Sequence, residues 1–234
     1  AAGLAALQLA PSVWFMVNST RAGLNFDGAG RGFAPQDITL FALTGVANIW
    51  QPLYVGIATL ALAAFALLRR IRRDAPLWLW LSIGALVLSF GANAFGFDLF
   101  YQIAPGYRQF QSQERHAVVI VFALSVLGAY GAHALLGPLR ARVRARLNRA
   151  GGRVLAGALA AFAATLAVTL FGAAIEPPRP DLGAISSRTA LLALALLGSG
   201  ALLIWRARLG AASRQLWGAL LLALLVFDLF SANR

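Results

Sequence analysis

Residues 117–136, AVVIVFALSVLGAYGAHALL, form an apolar run that contains no Asp, Glu, Lys or Arg. An α-helix needs about 20 predominantly apolar residues to cross the hydrocarbon core of a bilayer. Lipid offers no partner for backbone N–H and C=O groups, so a segment in it must pair its own, as a helix does. The run therefore predicts a membrane-spanning helix. The side of the membrane on which the preceding polar loop lies determines which molecules that loop can bind.

The composition extends this prediction to the whole chain. Of 234 residues, 60% are hydrophobic and 12% are charged, whereas a soluble domain is nearer a quarter charged. We predict an all-α protein, a polytopic transmembrane helix bundle of about seven spans that forms a single domain over residues 1–234. The chain begins inside one apolar segment and stops just after another, so we expect a truncated first span and a longer parent protein. The expected spans are residues 1–16, 53–68, 78–90, 117–136, 154–175, 189–205 and 216–230.

Two long loops separate the early spans, residues 17–51 and 91–116. The segment PQDITLFALTG has Pro35 at a helix start and is too short to span a bilayer. The segment GFDLFYQIAPGYRQF mixes aromatic and polar residues, which is typical of an interfacial segment. We therefore expect interfacial helices in both loops. GAGRGF at residues 28–33 lacks the Lys-Ser/Thr of a phosphate-binding loop, which favours a turn.

All 20 basic residues are Arg, and their distribution predicts the topology. If the spans alternate, the loops on one side of the membrane hold 13 Arg and one acid, Asp74. The loops on the other side hold 7 Arg and 7 acids. Together they account for all 20 Arg and all 8 acids. Cytoplasmic loops carry the excess of positive charge. We therefore expect loops 69–74, 140–153 and 206–214 to be cytoplasmic, and the two long loops to lie outside.

Composition also limits the partners. We interpret residues 140–153 as a solvated basic turn that faces anionic lipid. Nucleic acid is not expected as a partner, because aromatic residues for base stacking are missing beside this run. The chain has no Cys, so it has neither a disulfide framework nor a thiolate metal site. Membrane lipids are the partners that these features predict.

Candidate binding residues lie in the two long loops. Arg108, Glu114 and Arg115 stand just before the span at 117–136, and Arg21 lies in the other loop. Arg binds phosphate through paired donors, and the several Gln residues nearby could bind sugar hydroxyls. The pattern indicates a site for a lipid-linked phosphate. The alternative is an ordinary solvated loop with an Arg–Glu pair.

The remaining titratable residues suggest structural roles. His116 and His133 lie at opposite ends of one helix, roughly 25 Å apart, so they cannot share a metal ion. Asp228 lies within one turn of the end of its helix, where a role as a structural hydrogen-bond or ion-pair partner is favoured. Asp98 and Glu114 could form an acid–base pair, but nothing in the sequence places them together. We expect no metal or cofactor from these residues.

Five segments together resemble a known family. They are LQLAPSVWFMVNSTRAGLNF, FAPQDITLFALTG, PLYVGIATLALAAFALL, FQSQERHAVVIVFALSVLGAYG and LLVFDLFSANR. In this order the chain resembles the C-terminal membrane portion of bacterial YfhO-like proteins, relatives of the C-type membrane glycosyltransferases. The family's Ser-Ser-Arg corresponds to residues 19–21 here, and its Asp-Leu-Phe is kept at residues 228–230. In the family's Phe-Arg-x-Pro-x-Arg motif only Phe110 and Arg115 match.

The resemblance implies a function and a place in the cell. It implies a bacterial cytoplasmic (inner) membrane protein that transfers sugar from a polyprenyl-phosphate donor to an acceptor at the outer face. Arg115 and Arg21 would then bind the lipid phosphate. The catalytic carboxylate of the wider superfamily lies in a first outer loop that this chain does not contain, so no catalytic residue is named. The alternative is a non-catalytic accessory or scaffold subunit of a larger membrane protein complex.

Overall fold

A computed structural model of the chain describes residues 2–19, 23, 25–41, 53–69, 72–104, 107, 110–173, 182–209 and 213–232. Helices dominate these residues, and none of them forms a strand. The α-helices are α1 (Ala2–Val17), α2 (Phe26–Ala29), α3 (Ile57–Arg69), α4 (Ala75–Ser89), α5 (Phe95–Ile103), α6 (Ala117–Leu136), α7 (Ala141–Ala173), α8 (Leu182–Arg208) and α9 (Arg214–Ala232). Short 3-10 helices cover Pro35–Phe41, Gly91–Asn93 and Gln113–His116. The predicted all-α fold is confirmed.

Each of the seven segments predicted to span overlaps an α-helix. Four of these helical stretches are long and apolar enough to cross a bilayer: Gln113–Leu136, Ala141–Phe171, Ser186–Arg208 and Arg214–Ser231. The helices for the first three predicted spans, α1, α3 and α4, have 16, 13 and 15 residues. At about 1.5 Å per residue they are shorter than a 30 Å hydrocarbon core. The four long helices make the chain a multi-pass membrane protein. The count of seven spans stays a prediction.

One prediction is wrong: most of the basic segment 140–153 is helical and not a turn. Residues 141–153 form the first part of the 33-residue helix α7. Val143 and Leu147, four residues apart, are both buried in a cluster with Leu135, Trp217 and others. Side chains at this spacing lie on one helix face. Burial of that face, together with the good helix propensity of Ala, Arg and Leu, favours helix over turn.

The described structure divides into two compact units. Unit 1 comprises Ala1–Gln36 and Leu81–Ile120, and unit 2 comprises Asp37–Trp80 and Val121–Arg234. In unit 2 the most extensive packing is between α7 and α8. There a Cβ added at Gly151 would lie 2.7 Å from Ile204 Cγ1 and 2.9 Å from the Gly200 carbonyl oxygen. The two helices approach this closely because glycine has no side chain at that point.

The core of unit 2 joins five helices in one buried cluster. Trp217 on α9 is its largest fully buried side chain, and its Nε1 donates to the Leu202 carbonyl oxygen at 2.8 Å. Leu62 of α3 and Leu135 of α6 pack in the same cluster. A Cβ added at Gly131 of α6 would lie 2.1 Å from the Leu62 carbonyl oxygen, so α3 and α6 are in direct backbone contact.

Unit 1 contains the described residues of the first long loop up to Gln36 and those of the second long loop, and helix α5 lies within it. Phe95, Leu99 and Ile103 of α5 are exposed and are spaced four residues apart. Phe97, on another face of the same helix, is fully buried. An exposed apolar stripe on a short helix is typical of a helix that lies in a membrane interface, and the interfacial position of α5 stays a prediction.

Candidate functional site

Gln113 connects the two long loops in unit 1. Its backbone N–H donates to the Arg31 carbonyl oxygen at 2.7 Å, and its side-chain Nε2 donates to the Ala29 carbonyl oxygen at 3.2 Å. Nε2 also donates to the Phe110 carbonyl oxygen at 3.0 Å, and Oε1 accepts from the Tyr107 hydroxyl at 2.8 Å. The side chain is only 2% exposed. We call this set of contacts the Gln113 junction.

The backbone just before Gln113 has an unusual conformation, which allows Gln113 to contact residues 29–31. Ser112 has φ 66°, the left-handed conformation, and it is the one residue other than glycine with positive φ among those described. This conformation is uncommon for a residue with a Cβ. It turns the chain so that Gln113 can begin a short 3-10 helix, Gln113–His116, against residues 29–31. Strain of this kind persists only where surrounding contacts fix it.

The other half of the junction is the glycine-rich segment around Arg31. The Gly30 carbonyl oxygen accepts from Ala92 N at 2.8 Å, and Phe33 N donates to the Ser89 carbonyl oxygen at 2.9 Å. A Cβ at Gly32 would lie 2.4 Å from the Phe90 carbonyl carbon. The glycines of GAGRGF therefore let two backbones pack against each other, which agrees with the predicted turn.

A cluster of aromatic rings packs next to the Gln113 junction. Buried Phe97 lies 5.2 Å from Phe26, 5.6 Å from Tyr101 and 5.9 Å from Tyr107, measured between ring centroids. Such edge and tilted ring pairs stabilise beyond their buried area. Burial also raises the pKa of the Tyr107 hydroxyl, so this group stays a neutral donor to Gln113.

Two of the four predicted site residues lie among the described residues. Glu114 is half-buried, and its Oε2 atom is buried without a hydrogen-bond partner in the described structure. Arg115 is exposed. The structure gives no ion pair between these neighbours, since adjacent helical positions face different ways. Arg21 and Arg108 lie outside the described residues. Both interpretations of the loop, a phosphate site and a solvated segment, stay predictions.

Arg31 belongs to this site although the sequence did not point to it. The bond from Gln113 N to the Arg31 carbonyl oxygen places the Arg31 backbone beside that of Glu114, and the Arg31 side chain is exposed. Asp98 is exposed on α5, and its pairing with Glu114 stays a prediction. His116 keeps a local role, because its Nδ1 lies 2.8 Å from the Gln113 carbonyl oxygen.

A buried carboxylate oxygen without a donor carries an energetic cost. Leaving such a group unpaired costs about 1–3 kcal/mol or more when it is charged. The Gln113 junction brings the backbone of Arg31 beside the segment that carries Glu114 and Arg115, and the side chains of both arginines are exposed. Such an arrangement can bind a ligand that combines a phosphate with hydroxyl donors.

Asp228 has a different, structural role in unit 2. It is 2% exposed and accepts from the Tyr54 hydroxyl and, at 2.8 Å, from the backbone N–H of Ile57. Ile57 is the first residue of α3, so the carboxylate of α9 caps the N-terminus of another helix. The predicted structural role agrees with this geometry, and the partners are a tyrosine and a backbone amide.

No group of three or more His, Asp or Glu side chains suited to a metal ion occurs within the described ranges. In comparisons with family models, curated proteins and solved structures, nothing matches this chain. The site must therefore be interpreted from its own residues.

Proposed function

We propose that this chain is the membrane portion of a protein that binds a polyprenyl-phosphate-linked sugar and serves its transfer to an acceptor at the outer face of a bacterial inner membrane. The proposal combines the resemblance to YfhO-like proteins with the geometry of unit 1. The observation that carries it is the Gln113 junction, which places exposed Arg31 beside Glu114 and Arg115. Arg115 is also the arginine that matches the family's motif.

Each residue has a role that follows from its chemistry. The planar guanidinium groups of Arg31 and Arg115 are suited to a phosphate, because each offers parallel donors. The half-buried carboxylate of Glu114 is suited to accept a hydrogen bond from a sugar hydroxyl. The exposed apolar stripe of α5 would keep this region at the lipid surface, where a lipid-linked donor lies. These are substrate-binding roles, and the catalytic group is not among them.

The test uses the full-length protein in lipid nanodiscs and a labelled polyprenyl-phosphate sugar. Arg115→Gln and Arg31→Gln are each expected to weaken donor binding roughly tenfold, since each removes a charge-assisted contact. Arg69→Gln removes the same charge from the exposed end of α3 and serves as the matched control. Unchanged donor binding in both site variants would contradict the proposal.

The same preparation distinguishes the alternative, an accessory subunit of a larger complex. A transferase portion should bind the donor and support transfer when purified alone in full length. Stoichiometric co-purification with other membrane proteins, combined with no donor binding, would favour the subunit function instead.

A further inference from the structure

A second candidate site lies in unit 2, at the end of α6, and is centred on a buried arginine. Arg206 of α8 is 2% exposed. Its Nε donates to the Leu135 carbonyl oxygen at 2.5 Å, and its Nη2 donates to the Gly137 carbonyl oxygen at 2.6 Å. These are carbonyl groups that the C-terminus of a helix leaves without partners. The guanidinium carbon also lies 6.0 Å from the centroid of the Trp217 ring.

The third guanidinium nitrogen of Arg206 is still available. Nη1 donates to no described residue, and it is not among the fully enclosed polar atoms that lack a partner. The described partners of Arg206 are carbonyl oxygens and a ring, and none of them is a carboxylate that would compensate its charge.

Two more arginines lie near Arg206. Arg214, at the start of α9, directs Nη1 towards the Leu136 carbonyl oxygen at 3.5 Å. Arg144, which is exposed, follows Val143, and Val143 packs in the same buried cluster as Ala207 and Trp217. Arg214 and Arg144 both act on Arg206 as like charges. Positive charges gathered at the mouth of a helix bundle attract an anion.

Asp74, an acid of the same unit, is already engaged. Asp74 accepts from the Tyr130 hydroxyl at 2.6 Å and forms an ion pair with Arg72 at 3.4 Å. Leu136 and Leu216, which lie beside the arginines in the chain, are exposed apolar side chains. The site therefore combines positive charge with an adjoining apolar surface, as the headgroup region of a phospholipid requires.

We propose that Arg144 and Arg214, beside the buried charge of Arg206, bind the phosphate of an anionic phospholipid headgroup, with its acyl chains against Leu136 and Leu216. This site differs from the one around Gln113 and does not depend on the transferase proposal. The other source of the same chemistry is free phosphate, which would need no apolar surface beside the arginines.

The experiment measures phosphatidylglycerol binding to the full-length protein by native mass spectrometry, with phosphatidylcholine as the reference lipid. The variant is Arg144→Gln with Arg214→Gln, which spares the buried Arg206. The control is Arg142→Gln with Arg146→Gln, which removes two exposed charges from the same stretch of α7. We expect roughly 30-fold weaker phosphatidylglycerol binding in the variant, because each arginine near the headgroup contributes on the order of fivefold, and less than a twofold change in the control.

Two outcomes would overturn the proposal. Equal losses of phosphatidylglycerol binding in the two double variants would show a diffuse charge effect without a site. Displacement of the bound lipid by millimolar inorganic phosphate, with the same dependence on Arg144 and Arg214, would assign the site to free phosphate.

Discussion

The backbone N–H of Gln113 donates to the carbonyl oxygen of Arg31 at 2.7 Å, across 81 intervening residues. This bond and the side-chain contacts of Gln113 hold the two long loops together within unit 1. The exposed arginines and the unpaired oxygen of Glu114 owe their common location to it. The proposed substrate site therefore depends on Gln113 more than on any residue that would touch the substrate.

The first prediction concerns Gln113 itself. Gln113→Ala leaves the Ala29 carbonyl oxygen and the Tyr107 hydroxyl without their partner in a buried location. At about 1–3 kcal/mol for each of these two unsatisfied groups, we expect a loss of roughly 2–6 kcal/mol in unfolding free energy. Thermal unfolding in detergent measures the loss. The control Gln102→Ala changes an exposed side chain of α5 and should shift stability by less than about 0.5 kcal/mol.

The second prediction tests the helical form of the basic segment with two adjacent glycines. Gly151→Ala places a methyl group 2.7 Å from Ile204 Cγ1 and 2.9 Å from the Gly200 carbonyl oxygen, whereas Gly152→Ala meets nothing within 4 Å. We expect Gly151→Ala to destabilise by about 1–3 kcal/mol. Gly152→Ala should stabilise by about 0.5–1 kcal/mol, because alanine favours a helix. Equal effects in unfolding measurements would contradict the close packing of α7 on α8.

The third prediction concerns the cap that Asp228 provides for α3. Gly56 precedes this helix with φ +87°, and a Cβ there would lie 3.0 Å from Asp228 Oδ2. Gly56→Ala should therefore cost about 1–2 kcal/mol through backbone strain alone. Asp228→Ala should cost more, since it leaves the Ile57 amide and the Tyr54 hydroxyl unpaired. Chemical denaturation of the two variants measures both values, and an equal or smaller loss for Asp228→Ala would count against the cap.

The fourth prediction concerns acid stability near the turn between α3 and α4. The hydrogen bond from the Tyr130 hydroxyl holds the pKa of Asp74 below its usual value of 3.8. A carboxyl whose pKa is lower in the folded state contributes stability above the unfolded pKa and loses it as pH falls through the folded pKa. We expect the stability of the native chain, measured as the midpoint of its unfolding, to decrease as the pH is lowered below about 4. Asp74→Asn should flatten this dependence, whereas Asp98→Asn, at an exposed position, should leave it unchanged.

The helices were predictable because hydropathy and segment length determine them. The run 117–136 coincides with α6, and each other predicted span overlaps a helix. The basic start of α7 was missed because its helical face is stabilised by burial of Val143 and Leu147 against α8 and α9, which the local composition does not reveal. An Arg-rich sequence with no apolar run resembles a loop until its partners are known.

The contacts of the site could not be read from the sequence for a related reason. Gln113 is one of several glutamines in its loop, and nothing local distinguishes it. Its partners, the carbonyl groups of Ala29 and Arg31, are backbone atoms more than 80 positions away. Arg31 was passed over because GAGRGF was interpreted only as a turn. The unusual backbone at Ser112 becomes visible only in three dimensions.

The most direct test of the account is the side of the membrane on which the Gln113 junction lies. These residues contain no cysteine, so single cysteines at Arg115 and at Arg144 can be labelled in intact cells with a membrane-impermeant maleimide. The account predicts that Arg115→Cys is labelled in intact cells and that Arg144→Cys is labelled only after permeabilisation. Labelling of Arg144→Cys in intact cells, or of Arg115→Cys only after permeabilisation, would contradict it.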